Sequence, residues 1–152
     1  MSIDQTDLII LREIQKNAKI TIKELSEKTG VSSTPIFERV KKLENADYIR
    51  KYQAILNPDK LGLHMLVMCY VSLRSHQSEL IQQFQNDIIQ INEVLECYHI
   101  AGVYDYLLKV IVSDIDAYQK FLSTKLATLG NIGQIQSNFV MNILKSEISI
   151  PL

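Results

Sequence analysis

The chain has 152 residues, of which 47% are hydrophobic and 22% are charged, with only 5 glycines and 3 prolines. This composition is typical of a globular protein and excludes collagen-like and low-complexity chains. The length allows one domain or two small ones. The longest apolar run, Met65 to Val71, is too short to cross a bilayer, and the first residues lack the basic and apolar regions of a signal peptide. We therefore expect a cytoplasmic protein without a membrane segment.

The net charge of −1 hides a difference between the two halves. Residues 1–60 contain 11 Lys and Arg and 9 Asp and Glu, a balance of +2. Residues 61–152 contain 5 and 8, a balance of −3. The chain is not a polycation, so any nucleic-acid binding would use a local basic patch in the first sixty residues.

The start of the chain predicts two helices. Asp4 is a suitable N-cap, and an apolar face follows it at helical spacing, with Ile10 beside that face. This face consists of Leu8, Leu11 and Ile14. Thr21 and Glu24 form a capping box that predicts a short second helix.

A third helix is predicted after Gly30, which suits the left-handed position that ends the second helix. Ser33 is predicted to cap the third helix, and Pro35 falls in its first turn, where a missing N–H does no harm. The predicted buried face consists of Ile36, Val40 and Leu43. Helix, short helix, a tight turn with Gly and a further helix form the helix-turn-helix arrangement.

The segment that follows, residues 48–56, is rich in β-forming residues and predicts a small hairpin, the wing of a winged helix-turn-helix. Asn57-Pro58 marks its end. The first domain is therefore predicted to span residues 1–60.

The second half predicts the order strand, helix, strand, strand, helix, strand, at residues 64–73, 78–89, 93–101, 106–112, 115–129 and 134–148. Ser113 or Asp114 is expected to cap the second of these helices, which carries Ile115 among its apolar residues. This βαββαβ order predicts an α+β, ferredoxin-like domain over residues 61–152, with both helices on one face of a four-stranded sheet. The other face has no cover within the chain, which predicts self-association.

Motifs for catalysis or metal binding are missing from the sequence. There is no GxSxG, GxxxxGK[ST] or GxGxxG. Cys69 and Cys97 have no CxxC partner and are expected to be buried free thiols. The three histidines lie far apart and lack acidic or cysteine neighbours at metal-ligand spacing. They are His64, His76 and His99. We expect no catalytic site, no metal and no cofactor.

Several stretches together resemble the Lrp/AsnC family, the leucine-responsive or feast/famine transcription regulators. These are VSSTPIFERVKKLE, YIRKYQAILNP, GVYDYLLKVIV, AYQKFL and FVMNILKS. The resemblance covers essentially the whole chain and keeps the order and spacing of the motifs. It implies a winged helix-turn-helix domain followed by an amino-acid-sensing, RAM-type domain that builds homodimers and octamers, as tetramers of dimers. The implied function is sequence-specific transcription regulation in the cytoplasm, associated with the nucleoid, and not catalysis.

By motif position, the resemblance implies that the exposed side of the third helix contacts bases through Ser32, Ser33, Thr34, Phe37, Glu38 and Arg39. It implies phosphate contacts from Lys41, Lys42, Arg50 and Lys51, which position the protein without reading sequence. A two-fold dimer implies a roughly palindromic double-stranded operator. Three alternatives stay open. The first is that Phe37 packs against the first helix, and the second is that Glu38 holds an arginine. The third is that Lys41 and Lys42 only form a solvated helix face.

The resemblance also implies an effector pocket at subunit interfaces, formed by Ile100, Ala101, Gly102, Val103, Tyr104 and Asp105, with Gln136, Ser137 and Asn138 opposite. Backbone N–H groups would bind the carboxylate of an amino acid, and Asp105 its ammonium group. A β-turn shaped by Asp is the alternative. Family members commonly have an acid where this chain has Val103, and glycines where it has Asp47 and Lys51.

A rival function is an oligomeric amino-acid sensor whose first domain docks a protein instead of DNA. This rival predicts no specific binding to the DNA upstream of its own gene. A third reading, a small ferredoxin-like enzyme, would require a His/Asp or redox constellation that the sequence lacks.

Overall fold

The computed structural model describes residues 2–146 and 149–152. The chain separates into two compact units, one of Met1–Ile55 with Lys145–Leu152 and one of Leu56–Leu144. The first unit contains three helices, α1 (Gln5–Lys16), α2 (Ile22–Thr29) and α3 (Ser33–Asn45). The second contains β1 (Met65–Leu73), α4 (Ser78–Ile88), β2 (Val94–His99), β3 (Tyr106–Val112), α5 (Ile115–Thr124) and β4 (Ile132–Phe139). No helix in the described ranges is long and apolar enough to span a membrane.

The helix ends of the first unit follow the predicted caps closely. The side chain of Asp4 accepts from the backbone N–H of Asp7, and the side chain of Asp7 accepts from the backbone N–H of Asp4. Thr21 and Glu24 form the predicted capping box. Gly30 has φ +70°, as expected for a residue that ends a helix in the left-handed region. These local signals fix where α1 and α2 begin and where α2 ends.

The start of α3 differs from the prediction by one residue. Ser32, not Ser33, is the N-cap, with extended backbone and without a capping hydrogen bond from its side chain. Ser33 is the first helical residue, and Pro35 lies in the first turn as predicted. Two adjacent serines are chemically equivalent caps, so the sequence could not choose between them.

The core of the first unit confirms the predicted face of α3 and corrects that of α1. The buried residues are Ile10, Ile14, Leu25, Ile36, Val40 and Leu43. Leu8 and Leu11 are only half-buried, whereas Ile10 is fully buried. Because residues 8–11 are all apolar, their pattern is compatible with more than one buried face of the helix. The packing of α1 against α2 and α3 decides which face is buried.

The predicted wing hairpin is wrong for this chain as described. None of the residues 48–56 forms a strand. Tyr52, Ile55 and Leu56 are exposed there, and the Tyr52 hydroxyl donates to Glu44 of α3 at 2.8 Å. A lone two-stranded hairpin is marginal in water, and the segment has no Asn-Gly or Gly-containing pair to form a tight hairpin turn.

The second unit confirms the ferredoxin-like prediction. Its sheet has the order β2-β3-β1-β4, and each neighbouring pair is antiparallel. The fourth strand is shorter and earlier than predicted, since β4 is Ile132–Phe139 and no strand follows it up to residue 146. The predicted end of that strand, at 147–148, lies outside the described residues.

One face of this sheet packs against α4 and α5. Its core consists of Val67, Cys69, Val71, Leu73, Tyr106, Leu108, Val110, Val112, Phe84, Ile88, Tyr118, Phe121 and Leu126. Ile115, the first residue of α5, is 45% exposed. The other face carries half-buried apolar residues outside both hydrophobic clusters: Leu66, Met68, Tyr70, Leu107 and Ile111.

Asp47 ends α3 in the left-handed region, with φ +60°. The N–H of Tyr48 donates to the carbonyl of Leu43 at 2.9 Å, and the N–H of Asp47 to that of Glu44 at 3.1 Å. This pair of bonds is a Schellman motif, in which glycine is preferred at the position that Asp47 occupies. A side chain in this conformation costs about 1 kcal/mol.

Replacing Asp47 with Gly should therefore stabilise the chain. We expect Asp47→Gly to raise the free energy of unfolding by about 0.5–1 kcal/mol, because relief of backbone strain exceeds the added flexibility of the unfolded chain. Chemical denaturation at one fixed protein concentration measures this. Asp47→Ala, which keeps the strain, is the matched control and should gain no stability. If the glycine variant is less stable than the parent, the claim that the backbone is strained at Asp47 is wrong.

Candidate DNA-binding and effector sites

The outer face of α3 and the residue that precedes it present most of the predicted base-contacting side chains to solvent. Ser32, Ser33, Thr34, Phe37, Glu38, Lys41 and Lys42 are all exposed. The Nζ of Lys41 lies 4.4 Å from the ring centroid of Phe37, one helical turn earlier. Phe37 is 42% exposed and belongs to neither hydrophobic cluster, so it does not pack into the core against α1.

Arg39 is the exception on this helix, because its side chain turns back to α1. Its Nη1 donates to Oδ2 of Asp4 and to Oδ1 of Asp7, both at 2.7 Å. Asp7 is only 5% exposed, so Arg39 compensates a buried carboxylate. The two carboxylates, Asp7 first, raise the pKa of Arg39. The N–H of Asp7 and then Arg39 lower the pKa of Asp4. The acids that hold Arg39 are therefore at the start of α1, and within the described residues Glu38 does not pair with Arg39, the alternative that the sequence left open.

Arg50 and Lys51 follow the end of α3 in irregular, exposed backbone. They were predicted to lie on the wing, and in the described residues no hairpin fixes their positions. The structure thus groups Lys41 and Lys42 with the base-contacting candidates on or beside one helix and leaves Arg50 and Lys51 on the adjoining segment.

The predicted effector turn, residues 100–105, connects β2 to β3. It closes through a bond from the N–H of Ile100 to the carbonyl of Asp105 at 2.8 Å. Gly102 has φ +147°, which favours glycine. Within the described chain, no hydrogen bond is made by the backbone N–H groups of Ala101, Gly102, Val103 and Tyr104. The turn therefore has four consecutive backbone donors without a partner in the described residues.

Asp105 fixes this turn to the end of β1. Its Oδ2 accepts from the backbone N–H of Leu73 at 2.7 Å, and its Oδ1 lies 2.8 Å from Nε2 of His76. These contacts, the Leu73 N–H first, lower the pKa of the Asp105 carboxyl below its ordinary value. The Asp105 carboxylate, which is predicted to bind the ammonium group of a ligand, thus already has two partners in the chain.

Of the three β4 residues assigned to the pocket, one contacts the turn directly and a second is bonded to the first. The Tyr104 hydroxyl donates to Oε1 of Gln136, and Gln136 in turn donates to Asn138 at 3.4 Å. Ser137 lies on the opposite face of the sheet, where it accepts from the Tyr118 hydroxyl at 2.6 Å. Side chains alternate between the two faces along a strand, so three consecutive residues cannot line one pocket.

Three further residues at these sites were not singled out by the sequence. Asp7 holds Arg39, His76 contacts Asp105, and the Tyr70 ring lies 5.4 Å from that of Tyr104. For Asp7 the sequence contains a usable signal, because this acid lies three residues after the N-cap Asp4, at the spacing of a capping box. Period-two alternation along β1 would have placed Tyr70 on the pocket face. For His76 no local signal exists, because 29 residues separate it from Asp105.

Both cysteines are free thiols, but the expectation that both are buried is confirmed only for Cys69. Cys69 is buried, with Sγ 2.8 Å from the Tyr118 hydroxyl, and Cys97 is half-buried. Burial raises the pKa of both thiols. Across the described residues, no group of three or more His, Cys, Asp or Glu side chains could hold a metal ion.

Comparison with known proteins identifies both units. A family described as winged helix-turn-helix DNA-binding matches residues 3–50, and one described as the Lrp/AsnC ligand binding domain matches residues 66–150. The leucine-responsive regulatory protein of Haemophilus influenzae is 38% identical over 144 residues, which cover 95% of this chain and 87% of that protein. The Escherichia coli K12 protein of the same name is 36% identical over 143 residues, with 94% and 87% covered.

Solved structures agree with this assignment. A transcriptional regulator from Neisseria meningitidis, in complex with L-Met, superposes with a TM-score of 0.95 at 33% identity and covers 99% of this chain and 97% of its own. An AsnC family transcriptional regulator from Agrobacterium tumefaciens gives 0.93 at 33% identity, with 98% and 97% covered. The chain therefore belongs to the Lrp/AsnC family of transcription regulators, with a helix-turn-helix unit ahead of an α+β ligand-binding domain.

Proposed function

We propose that this regulator binds a specific, roughly palindromic double-stranded operator through α3 and responds to an amino acid bound beside the turn 100–105. The observation that carries the DNA-binding proposal is the exposed face of α3, on which hydroxyl groups, an aromatic ring and two lysines lie together. Residues 1–60 are proposed as the DNA-binding domain, and residues 61–152 as the sensing and assembly domain.

We assign base contacts to the first turns of α3 and the residue before it. The proposed readers are Ser32, Ser33, Thr34, Phe37 and Glu38, because the N-terminal part of a recognition helix enters the major groove. Lys41, Lys42, Arg50 and Lys51 are proposed to contact phosphates. Arg39 is proposed as a positioning residue, since both of its carboxylate partners lie on α1.

Self-association is proposed through the second face of the sheet. Leu66, Met68, Tyr70, Leu107 and Ile111 are apolar, half-buried, and outside both hydrophobic clusters. A second copy on this face would complete their burial. We propose a two-fold dimer, four of which assemble into an octamer, with half-sites one or two helical turns apart on the DNA.

The effector proposal rests on the four backbone donors at residues 101–104. They suit the carboxylate of a free amino acid. Tyr104, Gln136 and Asn138 form the polar wall opposite, and Ile100 contributes an apolar edge. Asp105 is proposed chiefly to hold the turn, while its remaining lone pairs accept from the ligand's ammonium group. Ser137 is excluded from this pocket because it contacts Tyr118 on the opposite face.

A ligand-bound relative supports the choice of an amino acid, since the Neisseria meningitidis regulator was solved in complex with L-Met. We propose that the chain acts in the cytoplasm, on the nucleoid, and performs no catalysis. Its relatives are transcription regulators.

Replacing Lys41 and Lys42 with Ala should weaken binding to every DNA sequence. Each lost phosphate contact should reduce the slope of log K against log salt by about one. Fluorescence anisotropy with the duplex upstream of the chain's own gene, at several salt concentrations, measures this slope.

The matched control is Ser33→Ala with Thr34→Ala, which should change the preference among sequences and leave the salt slope unchanged. An unaltered slope in the double lysine variant would refute the phosphate assignment. If the first domain instead docks a protein, the parent chain will not prefer the upstream duplex over an unrelated one at physiological salt.

The effector assignment predicts stabilisation by a free amino acid. A ligand at one hundred times its Kd adds about 2.7 kcal/mol to the free energy of unfolding. Thermal unfolding in the presence of each of the twenty amino acids is the screen. The responding amino acid should lose its effect in Gln136→Ala and retain it in Gln134→Ala, a control on the same strand. If none of the twenty amino acids raises the unfolding temperature, amino acids are excluded as effectors, and the DNA-binding proposal is unaffected.

The positioning role of Asp105 predicts a dependence on pH. Its pKa is lowered in the folded chain, so its contribution is present above the unfolded pKa and is lost as pH falls through the folded pKa. We expect Asp105→Asn to lower the free energy of unfolding by about 1 kcal/mol at pH 7. The difference from the parent should vanish at acidic pH. Asp116→Asn is the control, and a difference that persists unchanged down to pH 3 would contradict the role.

A further inference from the structure

The last residues of the chain lie against α1, on its outer side. Gln15 donates from Nε2 to the carbonyl of Ile150 at 3.0 Å and accepts at Oε1 from the N–H of Ile150 at 3.1 Å. One turn earlier, Nε of Arg12 donates to the main-chain oxygen of Leu152 at 2.8 Å. Both side chains belong to α1, and the segment 149–152 belongs to the same compact unit.

The Gln15 amide binds Ile150 as a neighbouring strand would. An extended residue directs its N–H and C=O to the same side, and in an antiparallel pair both groups are bonded to one partner residue. A primary amide has one donor side and one acceptor side, so it satisfies both groups at once. The contact therefore recognises extended backbone and not a particular side chain.

The sequence of the segment prepares it for this contact. Ile150 precedes Pro151, and a residue before proline is confined to extended conformations. Pro151 has no N–H, so no donor is left unpaired at that position. Ile150 is 64% exposed, so apolar burial contributes little and the hydrogen bonds to Gln15 and Arg12 carry the interaction.

The same helix also holds the recognition helix. Asp4 and Asp7 at the start of α1 bind Arg39 of α3, while Arg12 and Gln15 bind the end of the chain. The segment 149–152 comes after β4, which carries Gln136 and Asn138 of the proposed effector site. The chain crosses between its two units after Ile55 and again after Leu144, so the first unit is joined to the second by two chain connections.

We propose that residues 149–152 are a clasp on α1, a site for extended peptide backbone built by Arg12 and Gln15, and that the clasp restrains the DNA-binding unit. This inference rests on the proposed DNA-binding function. A dimer must place two α3 helices on two half-sites at once, and a second tether on each unit reduces the freedom lost on binding. Opening the clasp weakens binding to the operator without touching any DNA-contacting residue.

Gln15→Ala is the variant that opens the clasp, since alanine keeps the helical propensity of α1 and removes both bonds. Gln5→Ala is the matched control, at an exposed position of the same helix. Pro151→Ala opens the clasp from the other side by relaxing Ile150. Hydrogen exchange at the Ile150 amide reports the contact, and anisotropy with the duplex upstream of the chain's own gene reports its consequence.

We expect the Ile150 amide to exchange about tenfold faster in Gln15→Ala than in the parent, since two hydrogen bonds are lost. Pro151→Ala should show the same direction, and Gln5→Ala should match the parent. Affinity for the duplex should fall about fivefold in Gln15→Ala and should stay unchanged in Gln5→Ala.

Equal exchange at Ile150 in the parent and both glutamine variants would overturn the clasp. Faster exchange without any loss of affinity would overturn its role in restraining the DNA-binding unit. If the parent chain itself does not prefer the upstream duplex, the DNA-binding function fails, and the exchange measurements still confirm or contradict the contact between Gln15 and Ile150.

Discussion

The ion pairs between Arg39 and the two acids of α1 are the interaction on which the DNA-binding unit depends. Asp7 is almost completely buried and would be unstable there as an unpaired charge. Arg39 supplies the counter-charge and, in doing so, fixes α3 against α1. The apolar cluster that includes Ile10 and Ile36 is non-directional, whereas Nη1 of Arg39 bonds two carboxylates at once and so favours one orientation of the helices. The orientation of the recognition face follows from this pairing.

A similar use of charge organises the proposed effector turn. Asp105 binds a backbone N–H of β1 and the ring of His76, so a carboxylate at the rim of the pocket serves as a structural tie. The donors that we propose for a ligand are the N–H groups that the turn leaves unbonded at residues 101–104. In both units, acidic side chains hold the surrounding structure in place, and other groups are proposed to bind the partner: lysines for phosphates and N–H groups for a carboxylate.

Local signals were sufficient to predict most of the elements. The N-cap at Asp4, the capping box at Thr21 and the left-handed Gly30 depend on neighbours a few residues away. The failures depend on distant partners. Arg39 bends back to α1 across 32 residues, and Asp105 meets Leu73 across the same separation. The wing was predicted from β-forming residues, but a strand requires a partner, and the described chain provides none at 48–56.

The sheet shows why a motif transfers less well than a fold. Matching by motif assigned Gln136, Ser137 and Asn138 together, because they are adjacent in the sequence. The register pairs Ser137 with buried Cys69 and Gln136 with Tyr70, and so sends the two side chains to opposite faces. The Tyr118–Ser137 bond lies on the helix side, where it satisfies hydroxyl groups that burial would otherwise leave unpaired. We therefore propose that Ser137 affects the effector pocket only by supporting β4 from the opposite face, whereas Gln136 and Asn138 line the pocket.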